Sequence, residues 1–263
     1  MTLNGGIISD LVESLRGAGR CTLMVRRTFY WIFRKLPSRR IMLPQFYQIG
    51  VATIPVVALT GAFTGMVLTV QTYYQFNKLG IETMIGPVVF TAVVQQLGPV
   101  LTAVMLAGRV GAAITAELGT MAVTEQIDAI KTLGLDPIKY LVLPRFLAAT
   151  LLTPILTLYS DFVGIIGGWS VAVLGYGVNS HYYWQNTLAY VTTYDIVAGL
   201  VKALFFGAAV GIISCYKGFY TEGGAEGVGR ATTSSTVASF VAILMLNLFL
   251  TILLNTIYII FFE

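Results

Sequence analysis

Five long apolar stretches, separated by short polar segments, constrain this sequence more than any other feature. They run from about residue 49 to 71, 85 to 110, 146 to 175, 196 to 216 and 237 to 262. The second is predicted to continue as helix as far as Met121. A helix that crosses the hydrocarbon core of a bilayer needs about 20 mostly apolar residues. Because the backbone finds no water there, each stretch is predicted to be a transmembrane helix.

The composition agrees with a bilayer as the solvent. Only 11% of the 263 residues are charged, whereas soluble domains carry about 25%. No charged residue lies between Arg40 and Lys78. The length leaves no room for a further soluble domain of about 100 residues. We therefore predict an all-α membrane protein, with a basic amphipathic segment over residues 1–48 and a five-helix domain over residues 49–263.

Lysine and arginine in the short loops predict the orientation, because these residues favour the cytoplasmic side. Eight of them precede residue 41, and five more lie in or beside the second and fourth loops: Lys131, Lys139, Arg145, Lys217 and Arg230. The first loop has only Lys78, and the third has none. The N-terminus is therefore predicted to be cytoplasmic and Glu263 to lie on the outer side.

The segment from Ile7 to Phe33 is basic and amphipathic, which predicts a helix lying in the interface of an anionic leaflet. The alternative is a disordered basic tail. The run Phe29-Tyr30-Trp31 favours the helix, because aromatic residues of this kind anchor chains at the membrane surface.

No residue pattern predicts catalysis or metal binding. Cys21 and Cys215 lack metal-ligand spacing, and His181 stands alone in an outer loop. In Gly224-x4-Gly229, the glycines are followed by Arg230 and Ala231, where a P-loop needs Lys and then Ser or Thr. We predict no catalytic residue, metal or cofactor, so any ATP hydrolysis belongs to another chain.

The region from Gly98 to Pro137 combines an apolar helix that carries Arg109 and Glu117 with a short amphipathic run, Thr124 to Leu133. Its blocks GPV, AGRVGAAITAELGTM and TEQIDA, with GVGRATT at residues 227–233, resemble the MlaE-type permeases. These are the membrane subunits of ABC transporters that work with MCE proteins to move lipids across an envelope. The resemblance covers roughly residue 40 to the C-terminus. It implies a homodimer, two cytoplasmic ATPase subunits, an MCE ring on the outer side and phospholipid or a related lipid as substrate. Without a transit peptide, a bacterial inner membrane is favoured over a plastid.

The run Thr124 to Leu133 is bounded by helix breakers, which predicts a short cytoplasmic helix. Its apolar residues Ile127, Ile130 and Leu133 are expected to pack towards the membrane. The resemblance implies that this is the coupling helix and that its polar residues contact an ATPase: Glu125, Gln126, Asp128 and Lys131. The alternative is an ordinary interfacial turn.

Four charged residues are predicted to be buried: Arg109, Glu117, Asp161 and Lys202. Arg109 and Glu117 share a helix face, which predicts either a moving ion-pair cluster or a static structural pair. Lys202 shares a face with Asp195 and needs a partner or a wet cavity, because an unpaired charge within a membrane is costly. Asp161 is one candidate partner.

Polar residues near the outer ends of the first two spans indicate either the mouth of a lipid cavity or an interfacial polar belt. The resemblance favours the cavity. We expect one central cavity at the dimer axis, lined by Leu68, Gln71, Tyr74, Gln96 and Asn247. The family carries acidic residues at the positions of Gln96 and Asn247, so Lys202 lacks those two acidic partners here.

Two other functions fit a small membrane protein of this kind. A small ion-coupled carrier would use the buried charges as its ion path, but an odd number of spans without an inverted repeat weighs against it. A non-transporting anchor for an ATPase is the other. The pairs Gly61-x3-Gly65, Gly164-x3-Gly168 and Gly207-x3-Gly211 predict close helix packing, either within one subunit or between two.

Overall fold

The computed structural model describes residues 3–34 and 37–262, and all the regular elements in these ranges are helical. Five helical units there are long and apolar enough to cross a membrane: Arg39–Asn77, Glu82–Val123, Ile138–Gly175, Thr193–Phe219 and Gly224–Ile260. This confirms the predicted all-α class and the five spans. The units exceed the predicted stretches because hydropathy marks only the apolar part, while helical hydrogen bonding continues into the polar ends.

Eleven α-helices make up these units and their connections. They are α1 (Leu3–Arg34), α2 (Arg39–Ile49), α3 (Ile54–Asn77), α4 (Ile85–Ala92), α5 (Gly98–Leu106), α6 (Ala112–Val123), α7 (Gln126–Thr132), α8 (Leu143–Ser170), α9 (Ser180–Tyr190), α10 (Thr193–Phe219) and α11 (Gly224–Phe262). Two π-helical turns, Val93–Leu97 and Ala107–Gly111, join α4, α5 and α6 into the second span. A π-helical turn leaves backbone groups without their usual partners, so such turns often accompany functional sites.

Helix α8 forms the centre of the bundle, with α3 on one side and α10 on the other. Its contact with α3 is made by backbone. A Cβ added at Gly65 would overlap the carbonyl of Gly164, and one added at Gly61 would overlap the carbonyl of Ser160. A Cβ at Gly207 would likewise meet the Ala149 carbonyl on the other side of α8. These three glycines therefore pack helices within one subunit, as small residues do where lipid supplies no hydrophobic drive.

Large apolar side chains remain exposed along α3 and α11, including Leu59, Phe63 and Val67 on the first and Leu244 and Leu248 on the second. An apolar surface of this extent marks a membrane or subunit contact. Helix α11 attaches to the bundle through its other face, which packs on α6 and α10.

Helix α1 is fastened to the end of the bundle that carries α7. Its Trp31 Nε1 donates to Asp136 Oδ2 at 2.7 Å, and Lys139 Nζ lies 4.7 Å from the centre of the Trp31 ring. Tyr216 donates to the Gly17 carbonyl at 2.9 Å. A helix with these contacts is favoured over a disordered tail, while its place in the interface stays a prediction. So does the division at residue 48, since α2 continues across that boundary to Ile49.

Candidate functional site

A π-helical turn and then Pro99 interrupt the regular α-helix of the second span, and we call residues 95–99 the kink because both features bend helices. Pro99 has no N–H, so the carbonyl four residues earlier, that of Gln95, loses its helical donor. Lys202 on α10 takes that place, because its Nζ donates to the Gln95 carbonyl at 3.0 Å. Lys202 is only 2% exposed. The buried lysine therefore has a backbone carbonyl as its partner rather than an acidic side chain.

Gln95 also links the kink to the first turn of α10. Its side-chain amide donates to Asp195 Oδ1. Asp195 Oδ2 accepts from the Thr192 backbone N–H at 2.8 Å and from the Thr192 hydroxyl at 3.0 Å, which completes a capping box at the start of α10. Asp195 and Lys202, predicted to share a face, thus both reach Gln95, one through its side chain and the other through its backbone.

Asp161 approaches the same kink from α8. It is 5% exposed, and a Cβ at Gly98 would overlap its Oδ1 atom, so the glycine makes room for the carboxyl group. Among the described residues that oxygen has no hydrogen-bond partner, and Asp161 forms no ion pair with Lys202. Asp161 and Lys202 therefore flank one kink from opposite helices without neutralising each other.

An open cleft of about 600 Å³ lies beside the kink, lined by Phe63, Thr64, Val67, Leu68, Gln71 and Leu97. It brings together two of the five residues predicted for a lipid cavity, Leu68 and Gln71. Tyr74 lies one turn beyond, where its ring meets those of Tyr73 and Tyr176.

The other two predicted cavity residues are not part of that lining. Gln96 follows Gln95 in the π-helical turn and is partly exposed. Asn247 lies on α11, where its Oδ1 atom is buried without a hydrogen-bond partner among the described residues. The placement of all five residues around one cavity stays a prediction.

A second cleft, of about 420 Å³, separates α2 from the C-terminal half of the second span. Arg109 and Glu117 both line it, on the shared face that their spacing predicted. Both residues are exposed in the described chain rather than buried as the sequence predicted. They do not pair with each other. Arg109 Nη1 donates to Thr53 Oγ1 at 2.8 Å, and Glu117 Oε1 lies 2.9 Å from Arg145 Nη2.

Arg145 is a buried, ion-paired residue that the sequence did not single out, since it served there only to orient the chain. Its side chain is 5% exposed and that of Glu117 is 49% exposed. Arg145 Nη1 also donates to the Leu141 carbonyl at 2.7 Å. The Glu117–Arg145 pair therefore ties α6 to α8 across the loop that carries α7. The sequence did contain a signal for this pair. Arg145 starts an apolar span, and Glu117 lies on the other side of the loop that precedes that span.

Helix α7 has the polar surface that was predicted for the cytoplasmic loop. Ile127 is buried, whereas the four polar residues are exposed: Glu125, Gln126, Asp128 and Lys131. Lys131 Nζ lies 2.7 Å from Asp128 Oδ1. Glu125, just before the helix, has a left-handed backbone with φ of 60°, which is uncommon for residues other than glycine.

The expected packing of Leu133 is wrong. Its side chain is 75% exposed. The helix ends at Thr132, and Gly134 turns the chain with φ of +74°. Leu133 therefore falls in the turn and leaves the face that Ile127 anchors.

Comparison with known proteins identifies the family. The family described as Permease MlaE matches residues 42–253. A probable ABC transporter permease protein of Rickettsia felis is 47% identical over 211 residues, which cover 80% of this chain and 82% of the relative. A second, from Synechocystis, is 42% identical over 224 residues and 85% of each chain.

A relative with a more specific name extends over nearly the whole chain. The intermembrane phospholipid transport system permease protein MlaE of Haemophilus influenzae is 34% identical over 248 residues, which cover 92% of this chain and 93% of the relative. The region matched by the family contains the kink, both clefts and α7. On these matches, the chain belongs to the MlaE permease family.

Proposed function

We propose that this chain is the permease subunit of an ATP-driven ABC transporter that moves phospholipid or a related lipid between the inner membrane and the outer envelope. The observation that carries the proposal is the open cleft beside the kink, where apolar walls meet polar groups. An acyl chain needs apolar walls and a headgroup needs polar ones, and Leu68 and Gln71 supply one of each. The printed names of the relatives, which include phospholipid transport and ABC permeases, support this direction.

The cleft favours a homodimer, because a single copy closes it on one side only. The exposed apolar faces of α3 and α11 are further surfaces that a second copy would cover. In the dimer, the cavity at the axis is lined by Leu68, Gln71, Tyr74, Gln96 and Asn247. An MCE protein would receive or deliver lipid at the outer end. A small ion-coupled carrier is less favoured, because Lys202 is bound to a backbone carbonyl and Asp161 is unpaired.

ATP hydrolysis in this proposal takes place on separate cytoplasmic subunits that bind α7. The exposed Glu125, Gln126, Asp128 and Lys131 form the docking surface, and the buried Ile127 holds it to the bundle. The Glu117–Arg145 pair passes movement of α7 to α6 and α8 together. The distribution of basic residues supports a bacterial inner membrane location with the N-terminus in the cytoplasm and the C-terminus in the periplasm.

Photo-crosslinking in cells tests the lipid path. A photoreactive amino acid at Leu68 or Tyr74 should capture phospholipid. Phe162, exposed on α8 beside Asp161, serves as the matched position outside the cleft. Stronger capture at Leu68 and Tyr74 than at Phe162 supports the cavity, whereas equal capture at all three positions means contact with bulk lipid.

A pull-down tests the docking surface separately. Reversal of charge at Glu125 and Asp128 together, E125K/D128K, should release the ATPase while the permease still inserts in the membrane. Glu82→Lys, at the opposite end of the spans, provides the control. Full retention of the ATPase by E125K/D128K would contradict the coupling role of α7.

A further inference from the structure

The motif GVGRATT, at residues 227–233, has no part in the lipid path or in the docking surface proposed above. We propose that it forms, with the end of α10, a pocket that binds a phosphate group, and that this group belongs to an anionic lipid headgroup of the cytoplasmic leaflet. The site lies at the opposite end of the spans from the central cleft. It is therefore a separate lipid site, and its existence does not depend on the proposed transport function.

The pocket is a space of about 520 Å³ between the end of α10 and the first three turns of α11. Its lining is mainly polar and includes Lys217, Tyr220, Thr221, Glu222, Arg230 and Ser234. A cavity with two cations and three hydroxyl groups, one of them on a tyrosine ring, provides donors on several sides. This is the donor set that a phosphate group requires.

The glycines of this region explain how the pocket is built. Gly223 and Gly224 have φ of +90° and +66°, a conformation that other residues adopt only with strain. A Cβ at Gly227 would overlap the carbonyl oxygen of Glu222. The chain therefore turns back sharply and packs residue 222 on the first turn of α11. This turn places Lys217, at the end of α10, beside Arg230 on α11.

The charges in and around the pocket are unbalanced. Among the described residues, neither Lys217 nor Arg230 takes part in an ion pair. A third cation comes from α1, where Arg20 Cζ lies 5.6 Å from the centre of the Tyr220 ring. Glu222 is the carboxylate in the lining, and Glu226 is exposed nearby in the first turn of α11. Three cations from three helices therefore lie in or next to the pocket against two carboxylates, and an anion would balance the excess positive charge.

Two observations favour a lipid as the source of the phosphate. Tyr216, Phe219 and Tyr220 lie at the cytoplasmic end of a span, the depth at which aromatic residues meet headgroups. Basic α1 runs beside them, bound through the contact between Tyr216 and Gly17. Basic pockets between helices on the cytoplasmic side are suited to anionic headgroups.

The pocket also adjoins α7, because Lys131 Nζ lies 5.9 Å from the centre of the Phe219 ring. A bound headgroup would hold the turn between α10 and α11 against the base of α7. The lipid composition of the inner leaflet would then set how firmly α7 is supported.

Thermal unfolding of the full chain in detergent tests the site. Phosphatidylglycerol added to the micelles should raise the Tm, since a ligand that binds the folded state stabilises it, and phosphatidylcholine should have little effect. The double variant K217Q/R230Q should need about tenfold more phosphatidylglycerol for the same shift, because charge-assisted hydrogen bonds are lost. The variant R26Q/R27Q removes two exposed positive charges from α1 and should respond like the wild type.

Further arms of the experiment separate the sources of phosphate. If inorganic phosphate at the same concentration raises the Tm as much as phosphatidylglycerol, and K217Q/R230Q abolishes both effects, the pocket takes a soluble anion and the lipid assignment is overturned. If phosphatidylglycerol raises the Tm of K217Q/R230Q as much as that of the wild type, the pocket is not the binding site and the proposal is wrong. If K217Q/R230Q keeps the Tm shift with phosphatidylglycerol but no longer retains the ATPase, the pocket binds a protein partner rather than a lipid.

A second measurement leaves the cations in place, in case K217Q/R230Q does not fold. Ser234→Cys adds a thiol to the lining, in a Cys21→Ala background, while Cys215 is fully buried. Phosphatidylglycerol should slow maleimide labelling of this thiol about tenfold, a protection that corresponds to a pocket occupied for most of the time. Phosphatidylcholine should not slow it. Equal labelling rates in the two lipids would overturn the proposal.

Discussion

The kink and the end of the bundle beside α7 hold their charged residues in different ways. At the kink, Lys202 binds a backbone carbonyl and Asp195 binds an amide and a helix terminus, while Asp161 Oδ1 has no partner among the described residues. Beside α7, Glu117 and Arg145 form an ion pair between two helices. The arrangement at the kink depends on backbone groups that the π-helical turn and Pro99 leave without helical partners. The arrangement beside α7 depends on an ion pair between side chains of two helices.

This difference has a mechanical meaning. Polar groups held by backbone defects keep the kink open beside the cleft without joining neighbouring helices through ion pairs. The ion pair holds α6 to α8 at the base of α7. A transporter needs both properties, a region that can change shape around its substrate and one that passes force without yielding.

The largest effect is expected beside α7, from Glu117→Ala. This change leaves the buried guanidinium of Arg145 without its partner, and the loss of one member of a buried pair costs about 3–5 kcal/mol. We expect the lower part of that range, because Glu117 is half exposed. Chemical denaturation in detergent measures the change in the free energy of unfolding.

Arg145→Met gives the matched comparison, because it leaves only the half-exposed carboxylate unpaired. It should destabilise the protein less than Glu117→Ala does. Equal losses would mean that packing around Arg145, rather than its charge, holds α6 to α8.

The next largest effect should come from Gly98→Ala at the kink. The new methyl group overlaps the Asp161 carboxyl group, and overpacking of this kind costs about 1–3 kcal/mol. Combination with Asp161→Ala should recover most of the stability, because the space is vacated. Failure of that rescue would show that Gly98 is needed for the shape of the kink itself.

Lys202→Met should cost about 1–2 kcal/mol, because the buried Gln95 carbonyl is left without a donor. Pro99→Ala restores a backbone N–H at the position from which a helix would bond that carbonyl. The double variant should therefore be more stable than Lys202→Met alone in the same unfolding measurement. If the double variant is no more stable than Lys202→Met, then Lys202 does not stabilise the protein by replacing the N–H that Pro99 lacks.

The smallest effect on stability should come from Lys131→Ala on α7, below about 0.5 kcal/mol, because exposed ion pairs contribute little. If α7 is the docking surface, the same change should weaken ATPase retention in a pull-down. A large loss of stability would mean that the pair with Asp128 is structural, which would weaken the contrast between a docking surface and the buried pair behind it.

The sequence predicted the five spans because lipid burial leaves a strong compositional pattern. It also predicted a short α7, because helix breakers bound it, although the turn at Gly134 displaced Leu133. The interpretation of Arg109 and Glu117 as partners failed on geometry. Residues eight apart are separated by about 12 Å along a helix, so a shared face does not bring their charges together.

The partner of Lys202 could not be found by a search among acidic residues. Its partner is a carbonyl freed by a proline on another helix, and only the tertiary structure shows which helix faces it. Pro99 carried the relevant signal, because any proline within a helix releases the carbonyl four residues before it. The placement of Asn247 and Gln96 depends on what a second copy contributes, which one chain's sequence does not specify.

The backbone contact between α3 and α8 fixes an order of events during synthesis. Gly61 and Gly65, in the first span, are covered by Ser160 and Gly164 in the third. A nascent chain that ends before residue 160 therefore holds its first span in lipid with a glycine groove unfilled. About a hundred residues must be synthesised after Gly65 before Gly164 can cover the groove. A chain truncated before that point would therefore keep its glycine groove exposed to lipid.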